Sequence, residues 1–229
     1  MRHYGLIGRK LGHSWSAEYF TKKFEAEGID ADYRLYELAD IEEVRGLQLD
    51  GYNVTIPYKE AIIPYLQELD PIAAEIGAVN VVKDGKGYNT DWIGVVATIR
   101  RDAMHSVSAS GIIRALILGQ GGAAKAVKYA LGTIGIEAEM ISARGRIEQD
   151  LRQYELIVNA TPLGMFPNVD TLPDLDFDAL GPEHILFDCV YNPEETKFLR
   201  RGRAHGAKTI NGKRMLEVQA EKTFEIFDI

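Results

Sequence analysis

The chain has a single cysteine, Cys189, among 229 residues. That excludes an intramolecular disulfide and any cysteine cage for zinc, and it fits a reducing, cytoplasmic setting. Long hydrophobic runs are also missing. The opening MRHYGLIG is too short an apolar run for a signal peptide, and no stretch approaches the length needed to cross a bilayer, so no membrane partner is expected. Positive charge is in deficit: 26 Lys and Arg stand against 34 Asp and Glu, a formal net charge of -8. Phosphate backbones need a concentrated basic surface, so nucleic acid is not the expected partner and a small molecule is. His13, His105, His184 and His205 have no metal-ligand spacing, and no metal is expected. What the chain does have is 46% hydrophobic residues, enough for a substantial core in one large domain or two small ones.

Periodicity orders the first part as a strand (YGLIG), a helix (AEYFTKKFEAEG) stopping at Gly28, a strand (ADYRLYEL), a short helix (IEEVRGL) and a third strand (LDGYNVTI). Helical pieces broken by Pro64 and Pro71 follow, then two short strands around a turn on Asp84-Gly85. From Asp91 a long helical pattern leads through a serine-rich linker, SVSASG, to a second α/β unit. Its strand IIRALILG, loop QGG, helix AAKAVKYALGTIG, strand EAEMISA, helix RIEQDLRQ and strands ELIVNAT and HILFDCVY predict a parallel sheet with helices on both faces. The final GKRMLEVQAEKTFEIF has helical spacing and is expected to fold back on the first unit. The fold class is thus α/β with two domains, and Cys189, within an apolar strand, is expected to pack rather than to react.

Five places carry candidate chemistry. Gly119-Gln120-Gly121-Gly122-Ala123 follows a strand and opens a helix, the context in which backbone N–H groups cradle a pyrophosphate; the alternative is a merely tight turn. At the tip of the next strand, SARGR offers Ser142, Arg144 and Arg146. Cations there suit the 2′-phosphate of NADP, whereas an acidic residue would suit NAD; the alternative is the start of a solvated helix. Ser14 and Ser16 in GHSWS can jointly hydrogen-bond a carboxylate, or one of them can be an ordinary helix N-cap. In NVTIPYKE a strand ending at Pro57 puts Asn53 and Thr55 on one face and delivers Lys59 at the turn beyond, unless Lys59 is a plain exposed loop lysine. Asn80, Asn89 and Asp91 flank the VNVV…YNTD hairpin, where Asp91 alone reads as a helix N-cap.

Taken in series, GHSWS, GYNVTIPYKE, GAVNVV, GYNTD, GQGGAAKAV, NATPLGM, DCVYNPEETKFL and GKRMLEVQA resemble the shikimate dehydrogenase family over nearly the whole chain. The resemblance implies a substrate-binding domain of residues 1–92 plus 212–229 and a Rossmann-type NADP-binding domain of residues 93–211. It implies the reversible NADPH-dependent reduction of 3-dehydroshikimate to shikimate in aromatic biosynthesis, by a monomer or homodimer. Ser14 and Ser16 would take the substrate carboxylate, and Asn53, Thr55, Asn80 and Gln219 its ring hydroxyls. Lys59 and Asp91 would be the catalytic pair, and Gly119, Gly121, Gly122 and Ala123 would hold the pyrophosphate. Ser142 and Arg144 would lie near the 2′-phosphate, with Tyr191 and the backbone around Gly212 where nicotinamide and substrate meet. The chain departs from the family pattern at Ala17, Phe20 and Thr21. Trp92 stands in place of a glycine, Ser142-Ala143-Arg144 in place of Asn-Arg-Thr, and the segment after it is shorter. Rival readings are a quinate-oxidising or NAD-using relative, a methylene-tetrahydrofolate dehydrogenase and a catalytically silent binding module.

Overall fold

The computed structural model describes residues 1–12, 14–103 and 114–228. His13, His105 and the serine-rich linker at 106–111 lie outside them. The chain divides into two compact units, Met1–Thr90 with Ala220–Ile229, and Asp91–Gln219.

The first unit is built on a six-stranded mixed sheet. Its strands are β1 (Arg2–Gly8), β2 (Ala31–Glu37), β3 (Gly51–Val54), β4 (Glu68–Leu69), β5 (Val81–Lys83) and β6 (Lys86–Tyr88), in the order β2-β1-β3-β5-β6-β4. β1 pairs in parallel with β2 and β3, while β5 runs antiparallel to both β3 and β6. Alternation along β1 sorts its side chains between two cores. Tyr4 and Leu6 face helix α1 (Trp15–Glu27) and the last turns of the C-terminal helix, where Phe20, Phe24, Tyr33, Ala220 and Phe227 are buried. Ile7 faces the other side, with Leu38, Val54, Tyr58 and Ile62. The C-terminal helix therefore does return to the first unit, and Phe227 stacks on Tyr4 at 4.6 Å between ring centroids. Gly28, at φ +67°, ends α1 in the left-handed region, where its N–H reaches back to the carbonyls of Glu25 and Phe24. The stretch from Lys59 to Ala78 holds less helix than its pattern predicts. It forms turns, one 3-10 turn at Ile63–Tyr65, strand β4 and a single short helix α2 (Pro71–Ile76) opened by Asp70.

The second unit has five parallel strands: β7 (Arg114–Leu118), β8 (Glu137–Ile141), β9 (Leu156–Asn159), β10 (Ile185–Asp188) and β11 (Lys208–Ile210), in the order β11-β10-β9-β7-β8. β7, β9 and β10, buried on both faces, read as continuous apolar runs, whereas β8 and β11 at the edges carry the exposed Glu137, Glu139 and Lys208. Ala115, Ile117, Leu156, Val158, Ile185 and Phe187 face α3 (Asp91–Asp102) and α4 (Gly122–Thr133). Leu116, Leu118, Ile157 and Leu186 face α5 (Lys197–Ala204) and the irregular segments. Helix α6 (Lys213–Phe227) closes the chain. The order reverses between β7 and β9, because the chain passes from β7 outward to β8 and then crosses to β9 on the other side. In open α/β sheets such a switch point, at the carboxyl ends of the strands, is where ligands bind.

One predicted element is absent. The helix expected over RIEQDLRQ is an irregular run with an isolated bridge from Arg146 to Asp174 and a 3-10 turn at Leu151–Gln153. Ile147, Leu151 and Tyr154 have helical i, i+4, i+7 spacing and are all buried. Their neighbours Glu148, Gln149, Asp150 and Arg152 are charged or polar, and the Asp150 side chain binds the Arg152 N–H to cap a single turn. Helix α5 and strand β11, in contrast, form where no element was predicted.

Candidate active site

In the first unit the candidate substrate groups sit on short segments fixed from behind. Ser14 occupies the N-cap position of α1 with extended backbone (φ -99°, ψ 125°), yet its side chain makes no cap hydrogen bond. Ser16 lies one residue into the helix, and both serines are half-buried. The loop before them is held by Glu37 at the end of β2, whose Oε1 accepts from the N–H groups of Leu11 (2.6 Å) and Gly12 (3.2 Å). Those two bonds lower the Glu37 pKa from its ordinary value.

Strand β3 ends at Val54, three residues earlier than the pattern suggests, and the chain then turns through residues 56–62. The Thr55 N–H donates to the Ile7 carbonyl (2.9 Å), the buried Tyr58 hydroxyl to the Leu38 carbonyl (2.6 Å), and the Val79 N–H to the Lys59 carbonyl (2.7 Å). The backbone of Thr55 and Lys59 is thereby fixed on both sides, and their half-buried side chains project from a rigid turn. Lys59 is no plain exposed loop lysine.

Asn53 has a different environment from the one expected. It is 6% exposed, its Oδ1 accepts from the Tyr33 hydroxyl (2.7 Å), and its Nδ2 donates to the Asn80 carbonyl and to Thr223 Oγ1, both at 3.2 Å. Both amide protons are therefore spent on protein partners. Asn80 is buried as well: its Oδ1 accepts from the Thr90 N–H (2.7 Å) and its Nδ2 donates to Thr90 Oγ1 (2.9 Å). Asn89 Nδ2 donates to the Ala78 carbonyl (2.9 Å). Burial holds the Tyr33 pKa well above its ordinary value, so this hydroxyl is a donor at any physiological pH. Thr90 and Thr223, which complete the network, carried no signal in the sequence.

In the second unit Asp91 is the first residue of α3 and is 4% exposed. Trp92, half-buried, meets Tyr129 edge-to-face at 5.5 Å. Gln219, near the end of this unit, donates from Nε2 to the Leu216 carbonyl (2.9 Å).

The glycine-rich turn fits a dinucleotide. Gly119 adopts φ +126°, and a Cβ there would lie 3.1 Å from the Ala160 carbonyl oxygen across the switch point, so only glycine suits the turn. Gly121 is the N-cap of α4 and a Cβ on it would meet nothing within 4 Å, which leaves the helix N-terminus open to an approaching group. The first-turn N–H groups of Gly122 and Ala123 have no intrahelical partner and favour an anion. At the tip of β8, Ser142 and Arg144 are exposed, and Ser142 Oγ accepts from the Arg144 N–H (3.3 Å), which makes a tight turn that presents the guanidinium. Tyr191 is half-buried. Gly212 is buried with its N–H on the Val190 carbonyl (3.1 Å), and a Cβ there would lie 2.3 Å from the Cys189 carbonyl oxygen.

Three polar residues that the sequence reading passed over join the second unit's loops. Asn159 and Asp188 end β9 and β10, both fully buried, and Asp188 Oδ1 accepts from Asn159 Nδ2 at 3.0 Å. Thr196, the N-cap of α5, donates to Asp188 Oδ2 at 2.6 Å. Their signal was legible: each of the runs LIVN and ILFD ends abruptly on a polar residue. His184 is a buried structural histidine whose Nδ1 accepts from the Gly181 N–H and whose Nε2 faces the Leu151 carbonyl.

A parallel sheet with a glycine-rich turn opening a helix at its switch point defines the second unit as a dinucleotide-binding α/β domain of the Rossmann class. The profile described as "Shikimate dehydrogenase substrate binding domain" matches residues 6–82. A shikimate dehydrogenase (NADP(+)) of Bacillus cereus is 36% identical over 98% of this chain and 91% of its own length. The crystal structure of shikimate dehydrogenase from Aquifex aeolicus superposes with a TM-score of 0.86 at 31% identity, covering 99% of this chain and 92% of that one. Shikimate 5-dehydrogenase from Thermus thermophilus, solved in complex with NADP(H) and shikimate, gives 0.82 at 29% identity, with coverage of 99% and 93%. The chain belongs to the shikimate dehydrogenase family.

Proposed function

We propose that the protein catalyses the reversible, NADPH-dependent reduction of 3-dehydroshikimate to shikimate. The observation that carries this reading is the switch point. There Gly119, packed against Ala160, and the open N-cap Gly121 present helix N–H groups to a pyrophosphate, within a chain whose relatives match it over nearly its full length.

Gly119, Gly121, Gly122 and Ala123 hold the pyrophosphate, Ser142 and Arg144 the 2′-phosphate, and Tyr191 and the Gly212 backbone lie where the substrate meets the nicotinamide, which when bound supplies hydride. Lys59 stabilises the negative charge that grows on the C3 oxygen as hydride arrives at the carbon, and it delivers or relays the proton that oxygen acquires. Asp91 hydrogen-bonds the reacting part of the substrate. Ser14 and Ser16 fix the substrate carboxylate, while Thr55, Asn80 and Gln219 take the ring hydroxyls. Asn53 serves mainly by fixing Asn80 and Thr223, since both its amide protons are engaged. A substrate lacking a matching hydroxyl leaves one of these groups unpaired at a cost of about 1–3 kcal/mol, which selects against less hydroxylated acids. Residues 1–92 with 212–229 form the substrate domain and residues 93–211 the cofactor domain.

Expression in a strain lacking shikimate dehydrogenase tests the reading. Growth without aromatic amino acids is the expected result. Failure to grow despite soluble expression would favour a silent binding module or a folate enzyme.

A further inference from the structure

We propose that Asp188 is a positioning residue that locks the loops leaving the carboxyl ends of β9 and β10 into one rigid shelf on the cofactor side of the sheet. The inference rests on the NADP-dependent reading given above and extends it to a residue that touches neither substrate nor cofactor.

Asp188 is the last residue of β10 and is 0% exposed. One carboxylate oxygen accepts from the Val190 N–H (3.0 Å) and from Asn159 Nδ2 (3.0 Å); the other accepts from Thr196 Oγ1 (2.6 Å). Each contact reaches a different segment. Val190 begins the turn that carries Tyr191, and its carbonyl receives the Gly212 N–H (3.1 Å). Asn159 ends β9 and organises the next turn: its Oδ1 accepts from the Thr161 N–H and hydroxyl, and its second amide proton goes to the Leu163 carbonyl (3.1 Å). Thr196 caps α5 through the Leu199 N–H (3.3 Å). A further bond, from the Phe166 N–H to the Asn192 carbonyl (3.0 Å), joins the same two loops farther out.

Two N–H donors converge on Oδ1 and the Thr196 hydroxyl, which can donate or accept, meets Oδ2, so the carboxyl keeps all three bonds in either protonation state. A buried carboxylate is a poor way to add stability, because an apolar side chain of similar volume usually does as well. Here its bonds are directed at loop backbone and loop-organising side chains beyond the strand ends. Tyr191 and Gly212, the groups assigned to the junction of nicotinamide and substrate, lie one covalent step and one hydrogen bond from Val190. Slack in the shelf therefore becomes misplacement of the nicotinamide pocket first, while the substrate contacts assigned to Ser14, Ser16, Thr55 and Asn80 in the first unit are kept.

The test compares wild type, Asp188→Ala, Asp188→Asn and Thr196→Val for NADPH binding by fluorescence titration and for KM and kcat with shikimate and NADP, below each variant's melting temperature. Asp188→Ala is expected to raise the NADPH Kd and the NADP KM about tenfold, with the shikimate KM within about twofold. Asp188→Asn keeps an acceptor for Val190 and Asn159 and can donate to Thr196, so it should recover most of the loss. Should Asp188→Ala fail to fold, Thr196→Val removes one contact at nearly constant shape and should raise the NADPH Kd about threefold. Lowered melting temperatures with cofactor Kd and KM at wild-type values in every folded variant would overturn the proposal. A wild type that binds NADPH but does not turn over shikimate would remove the proposed reaction, and the variants' Kd values would still decide the shelf. A wild type that binds no NADPH would overturn both.

Discussion

Asn53 lies in the segment most suggestive of chemistry and also bonds Tyr33, Asn80 and Thr223, and a double-mutant cycle with Tyr33 measures how much of the fold it holds. In Asn53→Ala the Tyr33 hydroxyl loses its acceptor inside a fully buried site. The Asn80 carbonyl keeps its bond from the Val54 N–H, and Thr223 keeps its contact with Thr90. One orphaned buried donor and two lost, partly compensated bonds add to a destabilisation of about 3 kcal/mol. In a chain of this size that lowers Tm by about 8 °C. Tyr33→Phe strands Asn53 Oδ1 instead and should cost about 1–2 kcal/mol. In the double variant neither group is left orphaned by the other, so its cost should fall short of the sum by about 1–2 kcal/mol. Urea unfolding can be followed by Trp15, stacked on Tyr19 at 4.8 Å in the first unit, in a Trp92→Phe background that silences the second. Additivity within about 0.5 kcal/mol would refute the reasoning, because independent sites behave that way.

The remaining predictions concern charge and catalysis. Burial pushes the Asp188 carboxyl up to about 7 from an ordinary 3.8, so between these values the folded protein binds more protons than the unfolded. The stability it contributes is fully present below about pH 4 and is lost as pH rises through about 7, on the order of 4 kcal/mol. The unfolding free energy of wild type minus that of Asp188→Asn should therefore fall between pH 5 and pH 8 in urea titrations, and parallel curves would count against it. Lys59→Ala should fold normally, while kcat drops by about 10²–10⁴; unchanged turnover would remove Lys59 from the mechanism. Arg144→Ala should raise the NADP KM about tenfold and leave any NAD KM in place, and equal effects on both would detach Arg144 from the 2′-phosphate.

The sheets were legible in the sequence because their residues repeat a simple signal: YGLIG, ALIL, LIVN and ILFD are dense apolar runs, and Gly28 marks the end of α1. Elements that carry little apolar surface escaped. Helix α5 buries little more than Phe198 and Leu199 among lysines and arginines, and β11 is three residues long. The spacing of Ile147, Leu151 and Tyr154 misled in the opposite direction: a hydrophobic period reports which residues are buried, and an extended segment ending in one 3-10 turn buries the same three. At the candidate site, residue types and order sufficed to single out Ser14, Ser16, Lys59 and the glycine turn. The partners of Asn53 did not follow from its sequence, because Tyr33 and Thr223 lie 20 and 170 residues away and meet it only when the strands and the C-terminal helix assemble. Asp188 shows the same limit, as its three bonds join segments that only the parallel sheet brings together.

The central claim is hydride transfer between shikimate and NADP, and absorbance at the nicotinamide band on mixing the purified protein with shikimate and either NADP or NAD tests it most directly. The account predicts rapid reduction of NADP and much slower reduction of NAD. Equal or faster use of NAD would contradict the assignment of Ser142 and Arg144 to the 2′-phosphate, and no reduction of either cofactor would contradict the proposed reaction itself.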